Sequence, residues 1–342
     1  MSVFVDTRAQ ETRAQVARDR LRIGVMGCAD IAWRRTLPAM AGNPAVEIAA
    51  IASRSKSSAV EFTDRFGGVP LEGYESLLDQ EGLDALYIPL PGLLHAEWVE
   101  RALRAGKHVL VEKPMTGSHA ETVRLVELAR SSGLVLLENY MFLHHSQHEA
   151  VRRTLADGAI GELRGFSSTF TIPPKPAGDI RYQSEVGGGP FLDFGGYPVR
   201  AAQYFLGPEL RVVGAVFRRH EEHRVAMSGS VLLCTPDGIP AQLTFGMEHS
   251  YGNSYSLSAS TGRLTLDRAF TPPPTYQPVL RIERQDHSEE RTLPADDQFA
   301  NIVDTFVQAV LGERCVREHQ EGTLRQAALI QQIQQVAYQA AI

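Results

Sequence analysis

The chain has 342 residues, 43% hydrophobic and 22% charged, which leaves room for two domains with real cores. A net charge of −6 argues against a nucleic-acid or anionic-membrane binder, and no apolar run approaches the ~20 residues of a membrane span. Three widely spaced cysteines, Cys28, Cys234 and Cys315, argue against a disulfide framework and fit a reducing cytoplasm.

Residues 1–20 are charged and Arg-rich and lack the apolar stretch of a secretion signal. They read as an N-terminal extension: a short solvated helix, an arm toward a neighbouring subunit, or a mobile leader. From Leu21 to about residue 138, short apolar runs alternate with amphipathic stretches. "LRIGVM", "VEIAAIA", "ALYIP", "HVLV" and "LVLL" read as five strands. Between them, "LLHAEWVERALRAG" puts Leu94, Trp98 and Ala102 on one helical face and stops at Gly106. "SHAETVRLVELARSSG" opens with Ser118 and Glu121 at capping-box spacing and ends at Gly133. This alternation predicts an α/β fold whose residues 21–138 form a doubly wound parallel sheet.

The rhythm then changes. A helix near 146–157 is followed by "ELRGFSSTFTI", a Pro/Gly-rich passage "PPKPAGDIRYQSEVGGG", and a series of β-rich runs from "LRVVGAVFRR" to "VLRIER". Two helices, roughly 297–311 and 319–341, close the chain. Residues 139–342 therefore read as a second α/β domain with a large, mostly antiparallel sheet, one face of which needs covering by a helix or another subunit.

The first strand runs into "GVMGCADIA". Gly27 suits a tight strand-to-helix turn, Ala29 is small enough for backbone to approach a pyrophosphate, and Ala32 lets the helix pack on the sheet. The turn, with Cys28, Asp30, Ile31 and Trp33 around it, then offers helix N–H groups to phosphate. The plainer reading is a packing turn. At the end of the second strand a dinucleotide site for NAD tends to carry an acid, but here the chain reads "ASRSKSS". Ser53, Arg54 and Lys56 would hydrogen-bond and neutralise a 2′-phosphate, so NADP(H) is favoured over NAD. Alternatively, Arg54 stacks on the adenine, which serves an NAD enzyme equally.

Only four lysines occur among 34 basic residues, and one of them, Lys113, stands just past the fourth strand in "HVLVEKP". Ligands of doubly wound sheets sit beyond the strands' carboxyl ends. Lys113 and Glu112, with Leu90 and Pro91 of "YIPLPG" and with Tyr74 and His95, are expected to border the cofactor. An ammonium near a carbonyl can polarise it and protonate the oxygen. Pro114 fixes the backbone after the lysine and can adopt a cis bond. The competing reading is a surface lysine paired with Glu112.

"GCADIA", "YIPLPGLLHAEW", "AGKHVLVEKP", "IGELRG" and "GGGPFLDFGGYPV" together resemble the Gfo/Idh/MocA oxidoreductases, the glucose-fructose oxidoreductase and inositol dehydrogenase family. The resemblance runs from Leu21 to the C-terminus. It implies a Rossmann domain plus an open-faced α/β domain whose sheet forms the subunit interface of a homodimer or homotetramer. It also implies that Lys113 is catalytic, that Asp193 and Tyr197 are its partners in the second domain, and that His95 lies close to the cofactor. The segment around the pair reads as a helix with Pro190 near its first turn and Gly207-Pro208 after its end. Asp193, Tyr197, Arg200 and Tyr204 fall on one face, and Gly195, Gly196 and Pro198 predict a kink. The Tyr197 phenol is expected at the substrate oxygen that Lys113 approaches; the alternative is a packing tyrosine between domains.

A narrower likeness lies in "GCADIAWRRTLPAM", similar to sugar 3-ketoreductases that act on dTDP-linked keto-deoxysugars in antibiotic biosynthesis. A nucleotide sugar carries a diphosphate that needs local cations. Arg34, Arg35, Lys175 and Arg181 are candidates, with Tyr182 or Trp33 to stack on base or sugar. His144, His145 and His148, like His220 and His223, lack the H-E-x-x-H spacing, so no metal is expected. The resulting expectation is NADPH-dependent reduction of the C3 keto group of a dTDP-linked 3,4-diketo-2,6-dideoxyhexose. Lys113 would donate the proton, Tyr197 assist and Asp193 hold sugar hydroxyls. A dehydrogenase of a free sugar or polyol, and a non-catalytic sugar or NADP sensor, are the alternatives.

Overall fold

The computed structural model describes residues 20–341, so the expectations for residues 1–19 lie outside the described residues. The first sheet has six parallel strands: β1 (Leu21–Met26), β2 (Val46–Ser53), β3 (Val69–Glu72), β4 (Ala85–Ile88), β5 (His108–Glu112) and β6 (Leu136–Asn139). Their order is β3-β2-β1-β4-β5-β6, and the switch point between β1 and β4 opens a crevice at the strands' carboxyl ends. The central strands are buried on both faces, which is why they read as continuous apolar runs. β3 went unread. It is a four-residue edge strand with Pro70 inside it, a residue tolerated only where one side of the ladder is free.

Helices cover both faces of this sheet. His95–Arg104 buries Trp98, Val99 and Ala102, and His119–Ser131 starts at Ser118, whose Oγ accepts from Glu121 N while donating to Glu121 Oε2.

The second sheet has nine strands: β7 (Leu163–Ile172), β8 (Arg211–Arg219), β9 (Ala226–Cys234), β10 (Pro240–Met247), β11 (Gly252–Ala259), β12 (Gly262–Asp267), β13 (Val279–Arg284), β14 (Ser288–Thr292) and β15 (Tyr338–Ala341). Their order is β14-β13-β12-β11-β7-β10-β9-β8-β15. All pairings are antiparallel except β7 with β10 and β8 with β15. The inner face carries Phe166, Phe170, Leu243, Phe245, Leu257 and Leu264, packed under the helices Gly196–Leu206 and Gln298–Val310. The outer face is largely Ser and Thr, with Val216 (50% exposed) and Leu232 (37%) standing out. The last helix ends earlier than expected. It spans Arg317–Val336, and the chain then turns at Ala337 to pair Tyr338–Ala341 with the edge of β8. "AYQAA" is acceptable to a helix, so edge pairing has overridden local propensity here.

Candidate active site

Three strand-end loops of the first sheet meet one segment of the second domain. After β1, Gly27 adopts φ +116°, and a Cβ there would stand 2.9 Å from Leu90 Cδ2. Only glycine fits both the conformation and the space. Gly27 N donates to Ala52 O, Trp33 N to Ala29 O, and the helix passes through a π turn, Ala32–Thr36, into Leu37–Gly42. Its first turn presents free backbone N–H groups to the crevice.

At the end of β2, Ser53 is buried and Arg54 exposed. Burial pushes the Tyr74 phenol up, and the Arg54 charge beside it works the other way. Lys56 is turned back to donate to Pro70 O. The residues fit a dinucleotide with a 2′-phosphate: a Cβ-free turn under the pyrophosphate, and a serine and an arginine with no acid at the ribose end. Lys56 adds less than expected because its amine is already engaged. Trp33, expected to stack on a ligand, packs instead on Phe62 and Phe66 with Arg65 4.5 Å over its ring, and Cys28 Sγ faces Ser58 O.

After β4, His95 is 0% exposed and does not face the crevice. Its Nδ1 lies 2.7 Å from Pro114 O and its Nε2 2.7 Å from Leu90 O. Burial, opposed by those contacts, pushes its pKa down to about 4.

After β5, Glu112 is buried and accepts from Tyr87 Oη (2.8 Å) and Asn139 Nδ2 (2.6 Å); burial pushes its carboxyl up. The Lys113–Pro114 bond is cis. Lys113 Nζ, on a side chain 13% exposed, donates to Asp193 O (2.7 Å) and Asp193 Oδ1 (2.6 Å). Arg181 Nε donates to the other oxygen, Oδ2, at 2.5 Å, and Arg181 Nη1 to Asp179 at 3.0 Å. Burial alone would push the Asp193 carboxyl up, but the charges and hydrogen bonds of Lys113 and Arg181 hold it well below the usual carboxylate range.

Asp193 stands in a π turn, Phe191–Gly195, that leads into the helix Gly196–Leu206. The irregularity expected near Tyr197 thus falls just before it. Asp193 and Tyr197 both meet the Lys113 ammonium, the first through its carboxylate and the second through its ring. Tyr197 is 4% exposed, ringed by Tyr140, Phe142, Phe170 and Phe270, and its hydroxyl donates to Met141 Sδ at 3.5 Å. Burial pushes its phenol well up. Its ring, not its hydroxyl, meets the lysine: Lys113 Nζ lies 5.3 Å from the ring centroid.

On the cofactor helix, exposed Arg34 donates to Asp30 Oδ1 at 2.6 Å. That hydrogen bond, against burial, holds the Asp30 carboxyl below its ordinary range, with lesser help from the charges of Lys175 and Arg181. The Pro/Gly-rich passage therefore brings both cations across the crevice from the cofactor helix. Tyr182, expected to stack on substrate, is occupied: its hydroxyl donates to Glu248 and its ring packs on His223. His144 stacks on His319, and His148 contacts Tyr255 Oη at 2.9 Å. Sequence reasoning missed Glu138, Asn139 and Tyr87. The signal available was a pair of acids, Glu112 and Glu138, closing two otherwise apolar buried strands.

A dinucleotide domain whose β5 lysine is clasped by a carboxylate from a second, open-sheet domain defines an oxidoreductase of the two-domain Rossmann class. Residues 21–140 match the family model of the Gfo/Idh/MocA oxidoreductases with an NAD-binding Rossmann fold, and residues 148–265 match the Gfo/Idh/MocA C-terminal domain. A dTDP-3,4-didehydro-2,6-dideoxy-alpha-D-glucose 3-reductase of Actinomadura kijaniata is 57% identical over 91% of this chain and 93% of its own. The Streptomyces antibioticus enzyme of the same name is 52% identical over 93% and 97%. A crystal structure of a 3-ketoreductase from Actinomadura kijaniata in complex with NADP and TDP-benzene superposes with a TM-score of 0.93 at 55% identity, covering 94% of this chain and 99% of that one. The same enzyme has been solved as variants with one lysine or one tyrosine replaced. The chain belongs to the Gfo/Idh/MocA oxidoreductase family.

Proposed function

We propose that the chain is an NADPH-dependent 3-ketoreductase that reduces the C3 keto group of a dTDP-linked 3,4-diketo-2,6-dideoxyhexose to a hydroxyl in antibiotic deoxysugar biosynthesis. The observation that carries the chemistry is the Lys113 ammonium, held at the carboxyl end of β5 by Asp193 of the second domain. The substrate reading is supported by the extent of likeness to the dTDP-sugar 3-reductases. In the solved relative, the replaced lysine and tyrosine stand as far apart in sequence as Lys113 and Tyr197 do here.

When bound through the Gly27 turn, Ser53 and Arg54, NADPH supplies hydride for C3. Lys113 Nζ polarises the ketone oxygen, stabilises the negative charge growing on it, and gives it a proton. Asp193 orients the ammonium. Each of its oxygens keeps a further lone pair, so a sugar hydroxyl can join without displacing Lys113 or Arg181. Tyr197, a poor acid at neutral pH once its phenol is pushed up, steadies the ammonium with its ring face. Arg34, Arg35 and Lys175 serve the diphosphate, while Arg181 is committed to Asp179 and Asp193.

NADPH oxidation measured with the dTDP-linked diketo sugar, generated in situ, and with unlinked keto-sugars tests this. The expected result is a kcat/KM at least ~10²-fold higher for the nucleotide-linked compound, since lost remote contacts weaken the transition state. Equal or better turnover of unlinked sugars or polyols would replace the reading with a free-sugar dehydrogenase. Tight NADPH binding without turnover of any sugar would favour a sensor.

The outer face of the nine-stranded sheet, with Val216 and Leu232 among Ser and Thr, is the proposed contact between copies in a cytoplasmic homodimer or homotetramer. Sedimentation velocity showing only monomer would refute that assembly. Among the described residues, no helix is long and apolar enough to cross a membrane.

A further inference from the structure

We propose that His95 and Glu138 are positioning residues for the proton donor: together they hold both polar atoms of the Pro114–Met115 peptide, the second peptide unit after Lys113. The inference rests on Lys113 being that donor. His95 Nδ1 lies 2.7 Å from Pro114 O, and Met115 N donates to Glu138 Oε1 at 2.7 Å. These are the carbonyl and the N–H of a single planar group, and the Pro114 ring fixes φ between that group and the Lys113–Pro114 bond, so holding both atoms restricts how the chain leaves Lys113.

Each anchor is itself tied to a different neighbour. His95 Nε2 reaches Leu90 O in the loop after β4, and Glu138 Oε2 accepts from Thr323 Oγ1 at 2.7 Å, on the helix Arg317–Val336 of the second domain. Through Glu138 the lysine's backbone is thereby coupled to the other domain, and through His95 to a helix packed beside the loop after β4, although neither anchor bonds the ammonium. Glu138, Pro114, Met115, Thr323 and Gln326 also line a cavity of about 30 Å³.

The two ring nitrogens of His95 have unequal duties. A neutral imidazole carries one N–H and donates to one of these two carbonyls only, so the clamp requires the tautomer that carries it on Nδ1, toward Pro114 O. An asparagine amide reproduces the Nδ1 position and a glutamine amide the Nε2 position, so the two replacements separate the Pro114 contact from the Leu90 contact. In the same way, Glu138→Gln keeps an acceptor for Met115 N–H and Glu138→Leu removes it.

The test measures kcat, NADPH affinity and melting temperature for His95→Asn, His95→Gln, Glu138→Gln, Glu138→Leu and the His95→Gln/Glu138→Leu pair, with Lys113→Ala beside them. A reacting group displaced by ~1 Å loses on the order of 10²-fold. His95→Gln and Glu138→Leu should each lose about that factor in kcat, while His95→Asn and Glu138→Gln stay within about fivefold. NADPH affinity should hold within about threefold throughout, and the pair should lose no more than the worse single, as residues acting as one unit do. Equal losses for His95→Asn and His95→Gln, losses that track melting temperature, or losses seen in NADPH affinity would overturn the clamp. Near-normal turnover by Lys113→Ala would instead overturn the donor assignment beneath it.

Discussion

Lys113 and Arg181 hold the two oxygens of one carboxylate, Asp193 Oδ1 at 2.6 Å and Asp193 Oδ2 at 2.5 Å. The lysine comes from the end of a parallel strand, the arginine from the Pro/Gly-rich passage, and the carboxylate from a π turn of the second domain. Two largely buried cations thus depend on a single anion, with Asp179 giving Arg181 a second.

Removing that anion leaves Lys113 without its carboxylate and Arg181 with Asp179 alone. Asp193→Asn is expected to destabilise the protein by about 3–5 kcal/mol, the usual cost of breaking a buried pair from one side. The pH dependence has a definite sign. Asp193 titrates below its ordinary 3.8 when folded, so the unfolded chain binds this proton first, and the pair's contribution is present above about pH 4 and lost as pH falls below it. Denaturant midpoints between pH 7 and pH 3 should show wild type losing its advantage over Asp193→Asn only at the acid end. A gap that did not narrow there would contradict the ion-pair account.

Lys113→Ala should lower kcat by at least ~10²-fold, within the range for a lost general acid, with NADPH still bound as judged by fluorescence titration. Tyr197→Phe should cost less than about fivefold in kcat, because the hydroxyl faces Met141 and the ring, which the variant keeps, faces the ammonium. A Tyr197→Phe loss as large as that of Lys113→Ala would mean that the phenol reaches the substrate during turnover.

Arg54, exposed just after β2, is the cation proposed for the ribose end of the cofactor. Arg54→Ala should raise the KM for NADPH by roughly tenfold to a hundredfold and leave that for NADH nearly unchanged, since only one of them carries a 2′-phosphate for a charge-assisted hydrogen bond. Equal losses with both cofactors would point to adenine stacking instead.

Burial lowers six of the described histidines from 6.5, among them His95 and His319 to about 4 and His144 and His148 to about 3. Between those values and 6.5 the unfolded chain takes up protons that the folded protein refuses, so stability rises with pH across this window. Denaturant midpoints should be level from pH 8 to 7 and fall steadily from about pH 6.5 to 5. Midpoints that stayed level over that interval would show these rings to be solvated.

Legibility in the sequence followed how local each cause was. β1, β2, β4, β5 and β6 announced themselves as apolar runs because both faces of the sheet are covered. β3, β14 and β15 are edge or near-edge strands of four or five residues, and pairing rather than composition makes them. Gly27 and Lys113 were readable because their roles come from backbone turn and strand end. The aim of the Tyr197 hydroxyl was not, since its direction is set by the distant residues Met141, Phe142, Phe170 and Phe270 that pack around it. Nor could charge alone tell that Arg181 would choose two carboxylates, or that Trp33 and Tyr182 would be used up by neighbouring rings and Glu248.

The clasp between Lys113 and Asp193 joins groups borne by separate domains. It therefore doubles as a gauge of interdomain distance: parting the halves by a few ångströms unhooks the amine, and closing them seats it again. A ligand or variant that propped the halves apart would leave every reacting atom in place and still take the carboxylate from its ammonium.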